Sequence, residues 1–117
     1  MLMVEWKGCR LESLANKREN HFKKAARASK QRNGMLMRLA NKLRTKPLSG
    51  PFHVKITRIG VKNLDSDNLA ISAKHIRDGI ADALGVDDGD KEKIRFEYAQ
   101  ETGGGYSVRV EISAAVV

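Results

Sequence analysis

The stretch KIRFEYAQETGGGYSVRVEI, Lys93 to Ile112, decides the fold class of this 117-residue chain. Apolar and aromatic side chains alternate with charged or polar ones from Lys93 to Tyr98 and again from Tyr106 to Ile112. An alternation of period two is typical of strands that bury one face. The glycine-rich segment Thr102 to Gly105 separates the two runs, and we therefore predict an antiparallel hairpin.

The same alternation occurs twice earlier in the chain. One run extends from Leu2 to Lys7, and another from Phe52 to Thr57 and ends near Gly60. Each predicts one further strand. The segment Pro47 to Pro51 lies before the second run and marks a turn rather than a domain boundary.

A long amphipathic helix is predicted between these two strands. Asn16 and Glu19 have the spacing of a capping box, and the helix should end before Pro47. Small and apolar residues then recur at helical spacing: Phe22, Ala25, Ala26, Ser29, Leu36, Leu39 and Leu43. Gly34 costs about 1 kcal/mol relative to alanine inside a helix, so a kink or a break is expected there if anywhere.

A second helix is predicted from Asp67 or Asn68, as its capping residue, to about Leu84, with Gly85 ending it. At about 100° per residue, its apolar residues form a single stripe: Leu69, Ala73, Ile76, Ile80 and Ala83. On the same helical wheel, the face opposite the apolar stripe carries Asp67, Lys74, Asp78 and Asp82.

The predicted order is β-α-β-α-β-β, with two helices and a C-terminal antiparallel hairpin. This order indicates one α/β (α+β) domain over residues 1–117, with one mixed sheet. The chain is of single-domain length.

The charge is distributed unevenly along the chain. The net charge is +8, but residues 1–50 have a balance of +10 and residues 51–117 a balance of −2. Basic residues crowd the first half of the long helix: Lys17, Arg18, Lys23, Lys24, Arg27, Lys30 and Arg32. A basic helix of this kind predicts contacts with the phosphate backbone of DNA, and the alternative is a merely solvated surface.

The composition also excludes some classes of protein. No apolar run approaches the roughly 18 residues that span a bilayer, so we expect a cytoplasmic protein without a membrane segment. Cys9 is the single cysteine, which excludes an internal disulfide and a zinc site built from several cysteines.

Seven aspartates lie between the second strand and the predicted hairpin. They are Asp65, Asp67, Asp78, Asp82, Asp87, Asp88 and Asp90. Converging carboxylates without histidine or thiolate partners favour Mg²⁺, with Mn²⁺ as a second choice, and such an ion supports phosphodiester hydrolysis. Lys74 would stabilise charge that develops on the phosphate. The structural alternatives are an i,i+4 contact between Lys74 and Asp78, and aspartates that only favour the helix dipole.

The acidic region also resembles a known family. The residues Leu64-Asp65-Ser66-Asp67-Asn68-Leu69, Lys74, Asp82-Ala83-Leu84 and Val86-Asp87-Asp88 are similar to the pattern of the RusA family of Holliday-junction resolvases, in particular a phage-type branch. The similar elements span about a quarter of the chain. In the family pattern the lysine follows the second aspartate by four residues, whereas here it follows by seven.

The resemblance implies a function. It implies a homodimeric, magnesium-dependent endonuclease that nicks branched DNA in recombination and repair. By the same resemblance, Asp65, Asp67 and Asp88 would bind the metal, and Lys74 and Asp67 would be catalytic. One alternative is a catalytically weak or inactive DNA-binding dimer on the same scaffold. Another is an RNA-binding or protein-interaction module.

Overall fold

Strands form where the sequence alternates, and helices form where apolar residues recur every three or four positions. The computed structural model describes residues 1–12 and 20–114. The elements follow in the order β1 (Leu2–Lys7), α1 (His21–Thr45), β2 (Phe52–Gly60), α2 (Ser66–Ser72), α3 (Lys74–Leu84), β3 (Ile94–Thr102) and β4 (Ser107–Ala114). The described chain is one α+β domain with a mixed four-stranded sheet, which confirms the predicted class, but it has three helices instead of two.

The order of the strands in space corrects the predicted hairpin. The order is β1-β4-β2-β3. β4 pairs antiparallel with β1 and with β2, whereas β2 pairs in parallel with β3. The last two strands are therefore not neighbours, and the hairpin prediction is wrong. After β3 the Gly103 N–H donates to the Gly60 carbonyl (2.9 Å), at the end of β2.

Burial explains this arrangement. Val108, Val110 and Ile112 of β4 are fully buried, which suits a strand between two others. Phe96 and Tyr98 of β3 are only partly buried, which suits a strand at the edge of the sheet. Alternation determines which face of a strand is buried but not which strand lies beside it.

One face of the sheet packs against α1 and α3, and together they form the core. The helices contribute Met35, Leu39, Ile76 and Ile80 to it. The strands contribute Leu2, Val4, Phe52, Val54, Ile56, Ile94, Val108, Val110 and Ile112. The other face of the sheet carries charged side chains, including the Arg109–Glu101 ion pair (2.9 Å).

Helix α1 is continuous through Gly34, so the kink or break considered there does not occur. A side chain at Gly34 would overlap the indole ring of Trp6, so the glycine gives space for that ring to pack against the helix. Asn20 caps α1 by accepting a hydrogen bond from the Lys23 N–H (2.9 Å). The predicted capping box, Asn16 and Glu19, lies outside the described residues.

The single helix predicted from Asp67 to Leu84 is two helices, α2 and α3, which meet at Ala73. The Ser72 hydroxyl donates to the Leu69 carbonyl (2.7 Å) at this break, a local bond with which serine competes with helical pairing. Asp65 caps α2 by accepting from the Asn68 N–H (3.0 Å), so the expected caps, Asp67 and Asn68, were wrong. Gly85 ends α3 in the left-handed region, as predicted.

Helix α3 lies against α1 at a close approach of the two backbones. A Cβ at Gly79 would overlap the Arg32 carbonyl oxygen, so only glycine fits without a shift of α1. This contact brings α1 beside α3, which follows the sequence Asp65-Ser66-Asp67 (D-x-D) in the chain.

Candidate functional site

The loop that leads into α2 is held by a side chain of the edge strand β3. The Gln100 amide accepts a hydrogen bond from the Leu64 N–H (2.9 Å) and donates one to the Leu64 carbonyl (2.6 Å). Asp65 follows directly and uses its carboxylate as the cap of α2. Asp67 lies in the first turn of α2, is exposed, and makes no ion pair within the described residues. Asp67 is therefore the one of these two aspartates whose carboxylate has no partner in the described part of the chain.

A buried arginine near the end of β2 supports the same loop. Arg58 of β2 is 5% exposed, and it donates to the carbonyls of Leu11 (2.9 Å) and Lys62 (2.7 Å). Burial is the main cause that lowers the pKa of this guanidinium. Arg58 thus connects two loops, residues 8–12 and residues 61–65, to the end of one strand.

Asp88 has a different environment, because its carboxylate is already occupied. Its Oδ2 accepts from the Arg77 Nε (3.2 Å) and lies 3.1 Å from the Arg77 Nη2. The Arg77 Nη1 donates to the Tyr98 hydroxyl (3.1 Å), and the guanidinium lies 5.4 Å from the centre of the Phe96 ring. Burial lowers the pKa of Arg77, but the partners Tyr98 and Asp88 outweigh it and the pKa is raised. The guanidinium therefore stays charged and holds the loop after α3 against β3.

The two loops meet the same part of the sheet, but the described side chains there do not form a group of three metal ligands. Tyr98 and Gln100 point to the same face of β3 and are two residues apart, roughly 7 Å along the strand. Within residues 1–12 and 20–114, however, no group of three or more histidine, cysteine or acidic side chains could hold one metal ion. The oxygen donors of Asp65, Asp67 and Asp88 suit Mg²⁺ chemically, but one copy of the described chain does not gather them around one point.

Lys74 is the first residue of α3 and is exposed. The i,i+4 ion pair between Lys74 and Asp78 is not among those formed by the described residues. The next residue, His75, has a pKa that is lowered mainly by burial, and the Asp78 carboxylate opposes this shift. The positive charges of Lys74, Arg27 and Arg32 also lower this pKa.

The residues predicted to contact DNA have three different environments. Lys23, Lys24 and Lys30 are exposed on α1, and Arg27 is partly buried. Arg32 forms two hydrogen bonds with Asp82 (2.6 and 3.0 Å), so its charge is already neutralised by α3. Lys17 and Arg18 lie outside the described residues.

The break at Ala73 changes the interpretation of the charged helix face. The common face of Asp67, Lys74, Asp78 and Asp82 was expected on one continuous helix. Because α2 and α3 are separate, helical spacing no longer relates Asp67 to the three residues on α3.

Three residues that shape this region were not among the predicted site residues. Arg58 and Gln100 occupy inward positions at the ends of the alternating runs of β2 and β3, where a polar residue signals a special partner. Arg77 lies neither on the apolar stripe nor on the charged face of the predicted helix, and nothing in the pattern identified it.

None of the described helices has the length and apolar composition that crossing a membrane requires. Comparison with known proteins does not add to the geometry: no family model, no curated protein and no solved structure matches this chain significantly.

Proposed function

We propose that this protein is a magnesium-dependent, structure-specific endodeoxyribonuclease of the RusA resolvase type, which nicks Holliday junctions or other branched DNA in recombination and repair. One observation carries the proposal: the basic helix α1 packs against α3, where the Arg32 guanidinium pairs with Asp82 (2.6 Å), and the charges of Arg27 and Arg32 act on His75. Lys74 precedes that histidine, and α2 with Asp67 precedes Lys74. Positive charge for a phosphate backbone and an open carboxylate therefore occur in adjacent elements.

The exposed residues Asp67 and Lys74 are the ones we assign to the chemistry. A carboxylate without an ion pair can accept a proton from a water molecule or orient it, and an ammonium group can offset the charge that develops on a phosphate. Asp65 contributes through the geometry of α2, because its carboxylate caps that helix.

Dependence on Mg²⁺, or on Mn²⁺ in its place, is part of the proposal and rests on the resemblance of the acidic sequence. Because a single copy does not gather Asp65, Asp67 and Asp88, a metal group at this position requires ligands beyond those that one copy brings together. The proposal includes a homodimer, since two symmetric nicks in a four-armed substrate need two active sites. A nuclease of this kind acts on DNA in the cytoplasm, and phage or prophage recombination is a suitable setting.

The decisive experiment compares a four-way DNA junction with a linear duplex of the same sequence. The wild-type protein, Asp67→Asn and the control Glu5→Gln are incubated with each DNA, with and without Mg²⁺ or Mn²⁺. Glu5 is exposed on β1, at the opposite edge of the sheet from β3, so its loss should change nothing. We expect the wild-type protein to make paired nicks in the junction but not in the duplex, and only when metal is present. Asp67→Asn should nick the junction at least about 100-fold more slowly.

A second function is favoured by a specific contact. If Arg77 keeps Asp88 as its partner permanently, the chain would be a DNA-binding dimer with little or no nuclease activity. Tight junction binding without cleavage in either metal would support this alternative over the nuclease. Absence of binding to either DNA would contradict both.

A further inference from the structure

A positively charged cavity lies between the end of β1, the loop of residues 8–12 and α1. Its volume is about 370 Å³. Among the described residues, four cationic side chains and one acidic side chain line it, namely Lys7, Arg10, Arg27, Lys30 and Glu12. The lining thus has a formal excess of three positive charges over the single carboxylate.

Two of the cations have no counterion in the described part of the chain. Arg10 is held in place, because its Nε lies 3.0 Å from the Glu12 carboxylate and its guanidinium lies 4.3 Å from the centre of the Tyr106 ring. Lys7 and Lys30 are exposed and form no ion pair or side-chain hydrogen bond with another described residue. Two ammonium groups beside a fixed guanidinium are a site for an anion.

The wall of the cavity is fixed by contacts on both sides of the loop. The Gly8 N–H donates to the Tyr106 carbonyl (2.8 Å), and the Leu11 carbonyl accepts from Arg58 (2.9 Å). Cys9 adds no negative charge, because burial raises the pKa of its thiol to about 11. The cavity is therefore formed before any ligand arrives, which lowers the cost of binding one.

We propose that this cavity binds a backbone phosphate of DNA, at a position distinct from the candidate catalytic residues. This inference rests on the proposed function and adds to it a site for the substrate backbone. Arg27 connects the two positions, because it lines the cavity and also acts on His75 beside Lys74. A DNA strand that crosses α1 near Arg27 would meet Lys30 and Lys7 on one side of the helix and α3 on the other.

The test measures the affinity for a short linear duplex at several salt concentrations, with Lys30→Gln and the matched control Lys42→Gln. Both lysines are exposed on α1, and Lys42 lies in its last turn, away from the cavity. Each phosphate contact contributes about 0.9 to the slope of log K against log salt concentration. We expect Lys30→Gln to lower this slope by about 1 and Lys42→Gln to leave it unchanged. Equal slopes for the two variants would overturn the inference.

A second measurement separates this site from the nuclease itself. Dimethyl phosphate, a minimal phosphodiester, is added to the wild-type protein while amide resonances are recorded by NMR. We expect saturable shifts at Gly8 and Trp6 that disappear in Lys30→Gln, whether or not junctions are cleaved. Cleavage of junctions with no such shifts and no change of slope would leave the nuclease intact and refute the phosphate site. Shifts and a changed slope without cleavage would support the phosphate site and refute the nuclease.

Discussion

Two loops carry the candidate acidic residues, and they are held to the same strand in opposite ways. In residues 61–65 the Gln100 side chain binds the backbone of Leu64. In residues 85–93 the Arg77 side chain binds the carboxylate of Asp88. The first arrangement leaves an acidic side chain, that of Asp67, open to solvent just beyond the loop, whereas the second uses the acidic side chain as the point of attachment.

Neighbouring aspartates in one motif therefore have different physical roles. Asp88 lowers the energy of the folded loop through Arg77, and any ligand that takes its carboxylate must displace or share that guanidinium. Asp67 has no such competitor among the described residues, so a change there should affect function more than stability. The following predictions test this contrast.

The largest effect on stability is expected for Arg58→Met. This change removes two hydrogen bonds and leaves the carbonyls of Leu11, which is buried, and Lys62, which is less so, without their donor. We expect the free energy of unfolding, measured with urea, to fall by about 3 kcal/mol. Arg95→Met, at an exposed position of β3, is the control and should cost less than about 0.5 kcal/mol. Similar losses for the two variants would show that Arg58 does not hold the first loop.

Gln100→Leu should have the next largest effect, and a more local one. The variant loses both hydrogen bonds to Leu64, which we expect to lower the free energy of unfolding by about 2 kcal/mol. Hydrogen exchange should accelerate at Leu64 while the amides of residues 85–93 keep their protection. Equal acceleration in both loops would mean that they are not held independently.

Removal of the second attachment should cost less, because both partners are partly exposed. We expect Arg77→Gln and Asp88→Asn each to lower the free energy of unfolding by about 1 kcal/mol. The double variant should lose little more than either single one, which a double-mutant cycle measures. Asp67→Asn should change stability by less than about 0.5 kcal/mol. Additive losses at Arg77 and Asp88 would contradict the proposed attachment.

The smallest effect concerns pH and His75, the second residue of α3. Because burial lowers its pKa below the ordinary value of 6.5, the unfolded chain binds the proton first as the pH falls. The contribution of His75 to stability is therefore complete above pH 6.5 and decreases below it. Urea unfolding at pH 7.5 and 5.5 should show a smaller pH dependence for His75→Asn than for the wild type. His21→Asn, at the exposed start of α1, should retain the wild-type dependence.

The strands could be predicted from sequence, but their pairing could not. Alternation located all four strands within a few residues, because burial of one face imposes a period of two on any strand. The same alternation is compatible with β4 beside β3 or with β4 on the far side of β2. The three glycines Gly103 to Gly105 equally allow a tight turn or a crossing over the end of β2. The choice depends on how completely each strand is buried, which becomes visible only in the assembled sheet.

The candidate site could be predicted only in part, for a similar reason. The residue types and their order indicated where acidic and basic groups would concentrate. The attachment of Asp88 to Arg77, the capping role of Asp65 and the break at Ala73 depend on contacts with other elements or on local geometry. No glycine or proline marks that break, so the apolar stripe alone suggested one helix.

The position of β4 has a consequence for how the molecule is made. This strand is the last in chain order, but it lies between β1 and β2, and Leu2 in the first strand pairs with Ile112 in the last. During synthesis β1 therefore has no strand to pair with until nearly all of the described chain has left the ribosome. Pairing between such distant segments is intrinsically slow. We expect the nascent chain to expose apolar strand faces that attract chaperones, and its assembly to depend on insertion of the final strand more than on helix formation.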